Sequence, residues 1–96
     1  MKNKELIKYL ANNNDYKYNL LKAAEELQEL SLCLTQMALK EDKVDKQEVI
    51  DEIGDVEIRI KVLKHFFSRN KIKKRVQFKI DKLKSYIKEN KYIGKM

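Results

Sequence analysis

Residues 16–40 read YKYNLLKAAEELQELSLCLTQMALK. Leu20, Ala23, Ala24, Leu27, Leu30, Leu34, Met37 and Ala38 recur there at the three-and-four spacing of an amphipathic helix. Leu21, Leu32 and Leu39 add a second apolar edge. A stripe that wide exceeds what one small partner covers, so this helix is expected to pack on two sides. Working outward, three more helical segments follow from periodicity. One precedes it, over roughly residues 2–11, with Leu6, Ile7 and Leu10 as its apolar side. Asn12–Asp15 breaks that segment, because Asn and Asp compete for backbone hydrogen bonds, and Asp15 is placed to cap the next helix.

After a polar link at Glu41-Asp42-Lys43, the spacing predicts a helix over residues 45–67 with Val49, Ile53, Val56, Ile60 and Leu63 as its core stripe. A break at Ser68–Asn70 separates it from a last helix over residues 71–90, with Ile72, Val76, Ile80, Leu83 and Ile87 in line. Residues 91–96 read as a frayed tail. The expectation is one all-α domain over residues 1–96: a small bundle of about four helices with short connections, completed by a second copy.

Composition agrees. Ninety-six residues hold one small core. There is no proline and only two glycines, which excludes collagen-like and turn-dense all-β architectures. One cysteine rules out a disulfide framework and a cysteine zinc site, and one histidine leaves a His-rich metal site or a Ser/His/Asp triad almost nothing to choose from. No apolar run approaches a membrane span, and the start MKNKELIKYL has no apolar region of a secretory signal. A soluble chain in a reducing compartment, without a membrane partner, is expected.

The net charge of +7 is unevenly spread. Residues 1–57 hold 8 Lys and Arg against 13 Asp and Glu, whereas residues 58–96 hold 14 against 2. An acidic half beside a basic half suits a ligand that is both metal-bound and polyanionic. Within the acidic half, Glu26 and Glu29 stand three apart at the edge of one apolar stripe, and Glu52 and Asp55 stand three apart beside the other. At about 100° per residue each pair projects from one side of its helix. Packing the two stripes together brings the four carboxylates toward one another. Like charges three or four residues apart cost roughly 0.2–0.5 kcal/mol each even when solvated. Only Lys22 beside Glu26 and Arg59 beside Asp55 offer relief within the helices. A hard divalent cation with oxygen ligands is the natural counter-ion; a solvated acidic face is the plain alternative.

These residues form a pattern. Glu25-Glu26-Leu27-Gln28-Glu29-Leu30 has the form E-E-x-x-E-L, and Glu52-Ile53-Gly54-Asp55-Val56 the form E-x-x-D-V, with 22 residues between Glu29 and Glu52. The pair resembles the signature of the MazG-like all-α nucleoside triphosphate pyrophosphohydrolases, and among them the small phage-type members, over residues 18–88. The resemblance implies a Mg²⁺-dependent enzyme, with Mn²⁺ as a possible substitute, that converts a nucleoside triphosphate to a monophosphate and pyrophosphate. It implies Glu26, Glu29, Glu52 and Asp55 as metal ligands, with Glu29 and Glu52 in catalytic roles and Glu29 as a candidate acceptor for the proton of the attacking water. Glu25 points about 100° from Glu26 and is at best supporting. The resemblance further implies a homodimer or homotetramer in the cytoplasm, the host's if the chain is phage-encoded.

Arg59 either reaches a substrate phosphate or pairs with Asp55. Lys79 and Lys82 sit where phage-type relatives carry Lys and Arg, and are candidate phosphate contacts; a solvated lysine face is the alternative. Tyr16 and Tyr18 precede the first motif and are candidates for a base pocket, while Tyr9 and Tyr18 serve equally well as part of the core. Gly54, inside the second motif, costs up to about 1 kcal/mol against Ala and is expected to mark close helix packing. Cys33 and Met37 read as core on the face of Glu26, and His65 as a surface residue. The competing functional reading is a non-catalytic helical interaction module whose basic C-terminal half binds acidic partners or nucleic acid. No helix-turn-helix or aromatic-interleaved motif supports nucleic acid.

Overall fold

The computed structural model describes residues 1–40 and 44–89. Among the described residues there are four helices and no strand: α1 (Asn3–Asn13), α2 (Tyr16–Leu39), α3 (Lys46–Leu63) and α4 (Arg69–Lys88). The all-α reading therefore holds. The link at 41–43 and the tail at 91–96 lie outside the described residues.

Local chemistry sets the boundaries. The asparagine run extends α1 by two residues beyond the expected end, because Asn13 Nδ2 donates to the Tyr9 carbonyl at 3.0 Å and Asn14 Nδ2 to that of Leu10 at 3.4 Å. Side-chain amides thus add donors to the carbonyls of the last turns of α1. Asp15 caps α2 by accepting from the Tyr18 amide at 2.6 Å. Asp45 caps α3, accepting from Gln47 at 3.1 Å. α3 ends four residues short of the expected Phe67. Its last turn tightens, with His65 N–H donating to the Val62 carbonyl and Phe66 N–H to that of Leu63. The expected break at 68–70 is in fact the start of α4, which Ser68 caps by accepting from Lys71 at 3.2 Å.

The chain divides into two compact units, Met1–Phe66 and the part from Phe67 onward that contains α4. In the first, α3 packs on both α2 and α1. Its core is small: Ala11, Ala23, Cys33, Val44 and Val62 are buried, with the polar Asn19 among them. Asn19 ties α1 to α2, donating from Nδ2 to the carbonyls of Leu10 and Asp15, both at 3.3 Å. Tyr16 packs edge-on against Phe66 with ring centroids 5.3 Å apart.

The expected stripes are only partly covered. On α3, Val62 is the deepest residue while Ile53 is exposed. On α2, Leu27 and Leu34 are exposed. No residue of α4 is buried; Val76, Ile80 and Ile87 of its stripe are exposed. Gly54 corrects an expectation: a Cβ built there meets nothing within 4 Å, so close packing is not its reason.

Candidate metal centre

The acidic site arises where α2 and α3 pack. Cys33 senses Glu48 and Glu52, whereas Glu26, two turns earlier, senses Asp55; the two helices therefore run in opposite directions. On α2, Asn19, Glu26 and Cys33 are spaced by seven residues and share one face. That face carries the buried residues of the helix, which turns Glu26 inward. On α3, Glu52, Asp55 and Arg59 follow the same three-and-four rule beside Val56 and Val62.

The packing brings one carboxylate oxygen each of Glu26, Glu52 and Asp55 within 4.8 Å of one another. The Glu26 side chain is only 12 % exposed, Glu52 is half-buried and Asp55 is at the surface. Glu29, the fourth expected ligand, stands outside this group; it is exposed and acts on Glu26 from beside it. Three of the four expected carboxylates thus converge, contributed by both helices.

Electrostatically the cluster is under-compensated. Lys22 Nζ lies 3.3 Å from Glu25 and 3.7 Å from Glu26, the relief its spacing suggests. Burial, followed by the charges of Glu29 and Asp55, still pushes the Glu26 carboxyl above its ordinary value, with Lys22 opposing. Arg59 does not supply the expected relief. Among the described residues it forms no ion pair with Asp55; it is half-buried, and its Nη1 has no hydrogen-bond partner. Among the described residues, the buried side-chain atoms left unpartnered are Asn19 Oδ1, Glu26 Oε2, Glu52 Oε2 and Arg59 Nη1. All four belong to the facing strips of α2 and α3. Orphaned buried polar atoms are costly and rare, so their concentration at one interface is a specific feature.

The carboxylates present fit a hard divalent cation. The unpartnered oxygens of Glu26 and Glu52 have no donor among the described residues, and Mg²⁺ and Ca²⁺ take oxygen ligands of this kind. The thiol beside them does not take part: Cys33 is buried, and burial followed by Glu48 and Glu52 raises its pKa, which keeps it protonated.

Tyr16 and Tyr18 stand ten and eight residues before Glu26, roughly 15 and 12 Å along the helix. Both are about half exposed, as is Tyr9, and Tyr16 is engaged with Phe66. Lys79 and Lys82 are on α4, in the other unit; Lys79 is half-buried, and Lys82 lies over the Tyr86 ring at 5.8 Å. His65 is exposed, as expected. Asn19 was not singled out by sequence reasoning, although its position seven residues before Glu26 marks it as a polar residue on the inward face.

Fold and site define an all-α protein with a carboxylate triad suited to a divalent cation. No family model, curated protein or solved structure matches the chain. No described helix is long and apolar enough to cross a membrane.

Proposed function

We propose that the protein is a divalent-cation-dependent nucleotide pyrophosphohydrolase that takes Mg²⁺, with Mn²⁺ as a substitute. The observation that carries this reading is the convergence of Glu26, Glu52 and Asp55 from two helices, with buried oxygens of Glu26 and Glu52 left without donors. Placing three acids together costs folding energy that apolar residues would not. The arrangement makes sense if a cation returns that energy on binding. The MazG-like spacing of the two motifs supports the choice of reaction.

In this reading Glu26, Glu52 and Asp55 hold the cation, which supplies charge neutralisation of a triphosphate and acidifies water. Arg59 offers its unpartnered Nη1–H to a phosphate oxygen. Glu29, exposed beside Glu26, accepts the proton of the water that attacks the α-phosphorus. The new bond joins that water oxygen to phosphorus, the α–β bridging bond breaks, and pyrophosphate leaves.

A panel of nucleoside and deoxynucleoside triphosphates, assayed for pyrophosphate with and without Mg²⁺, tests the proposal. Turnover of at least one nucleotide is expected, lost in Glu52→Gln and Asp55→Asn. The exposed basic face of α4 favours a second reading, a binding module for acidic partners. That reading predicts no turnover of any nucleotide, and salt-sensitive binding that those two substitutions leave intact.

A further inference from the structure

α4 carries its cations and its aliphatic surface in separate strips. Over Arg69–Lys88 there are nine Lys and Arg and one acid, Asp81. Ile72, Val76, Ile80, Leu83 and Ile87 follow one another at intervals of four, four, three and four. At about 100° per residue they occupy an arc of roughly 80°, and the helix has no other aliphatic residue. Val76 and Ile87 are 53 % and 63 % exposed, Ile80 is 37 % exposed, and Ile72 and Leu83 are half-buried. Lys73 and Lys84 border one edge of the strip and Lys79 the other, with Arg75 and Lys82 behind it. Asp81 falls about 140° from the centre of the strip, where it accepts from Gln77 Nε2 at 2.9 Å. Phe78 is on that far side too, with the Arg75 guanidinium 5.0 Å over its ring.

An occupant of this face has to be apolar along the middle and anionic on both sides. A nucleic acid meets the cations but gives the aliphatic strip nothing to bury against. A protein groove would need carboxylates along both rims. The surface of an anionic bilayer has both properties everywhere: acyl chains just below, and phosphate headgroups around. The lack of a membrane-spanning helix among the described residues argues against crossing a bilayer, not against lying on one. A one-sided aliphatic strip on a strongly cationic helix is the pattern of a helix that lies flat in the interface. The long stems of Lys73, Lys79 and Lys84 can run along the acyl region while their ammonium groups stay among the headgroups. Lys82, 5.8 Å over the Tyr86 ring, sets an amphipathic aromatic at the same boundary. We propose that α4 docks the protein on an anionic lipid surface, with Val76, Ile80 and Leu83 in the acyl boundary and Lys73, Lys79 and Lys84 on the headgroups. The proposal rests on α4 alone and is independent of what the triad binds.

Co-sedimentation of the full chain with vesicles at physiological ionic strength gives the first test. Binding is expected to phosphatidylcholine vesicles that contain about a third phosphatidylglycerol, and not to phosphatidylcholine alone. Lys73→Gln with Lys84→Gln is expected to weaken it about 25-fold, at roughly fivefold per lysine. Ile80→Asp is expected to weaken it at least about tenfold with helicity in solution unchanged, because the side chain is not part of the buried core. No binding to the anionic vesicles, equal binding to the neutral ones, or an Ile80→Asp protein that binds like wild type overturns the proposal. Vesicles left unbound while a single-stranded oligonucleotide binds would assign the face to nucleic acid and overturn it too. Orientation is tested with a nitrobenzoxadiazole label in a Cys33→Ser background. Emission is expected to shift to the blue on anionic vesicles from Ile80→Cys, and not from Ser85→Cys on the opposite side of the helix. Equal shifts at the two positions, or a shift at Ser85→Cys alone, overturn the assigned face.

Discussion

Replacing Glu26 by Gln removes the most buried charge of the triad and keeps the side chain's shape. Two carboxylates at the 4.8 Å limit repel by about 3 kcal/mol at an effective dielectric near 20. Glu26 faces two such partners, but Asp55 is at the surface and solvent screens it, while the Lys22 contact returns part of the cost. The net gain expected from Glu26→Gln in a chelating buffer is roughly 1–2 kcal/mol. For a domain of this size each kcal/mol raises the melting temperature by about 4–8 °C. Mg²⁺ inverts the order. A ligand at 100 times its dissociation constant stabilises the wild type by about 2.7 kcal/mol, and a variant missing one of three ligands gains much less. Protonation adds a signature. The folded-state pKa of Glu26 is raised, so the native state binds the proton more readily than the unfolded chain. The penalty is complete above the raised pKa and fades as pH falls toward the ordinary carboxylate value, about 4.5. The stability difference between variant and wild type is therefore full above the raised pKa and closes on acidification. Thermal unfolding followed by circular dichroism, in chelator and in Mg²⁺, measures all of this. A Glu26→Gln protein less stable than wild type in chelator, or equally stabilised by Mg²⁺, would refute the reasoning.

Two further substitutions probe the frame around the site. Gly54→Ala fills open space in a helix interior and is expected to raise stability by up to about 1 kcal/mol in urea unfolding; destabilisation would reveal a neighbour at that position. Asp15→Ala removes the cap that holds the Tyr18 amide and is expected to cost about 1 kcal/mol, with Asp15→Asn restoring most of it.

The helices were legible because their signals are local. Apolar spacing located all four, and Asp15, Asp45 and Ser68 are caps by chemistry any Asp or Ser brings to a helix start. Their ends were less legible. The Asn13 and Asn14 side chains prolong α1 instead of breaking it, and the turn at Phe66 closes α3 early. The site was legible to the extent that helical periodicity places charges on faces: Glu26, Glu52 and Asp55 had to meet once the stripes packed. Periodicity could not tell that Glu29, 60° around the helix from Glu26, stays in solvent. Nor could it tell that Arg59 Nη1 is left buried without a hydrogen-bond partner. Gly54 misled for a related reason, since a Cβ built there meets nothing within 4 Å.

The central claim is that Glu26, Glu52 and Asp55 hold a divalent ion, and Mn²⁺ titration followed by electron paramagnetic resonance addresses it most directly. At least one ion per chain is expected to bind, competed by Mg²⁺ and lost in Glu52→Gln, whose helicity is checked in parallel. Free Mn²⁺ signal undiminished by millimolar protein, or binding that Glu52→Gln leaves intact, would contradict it.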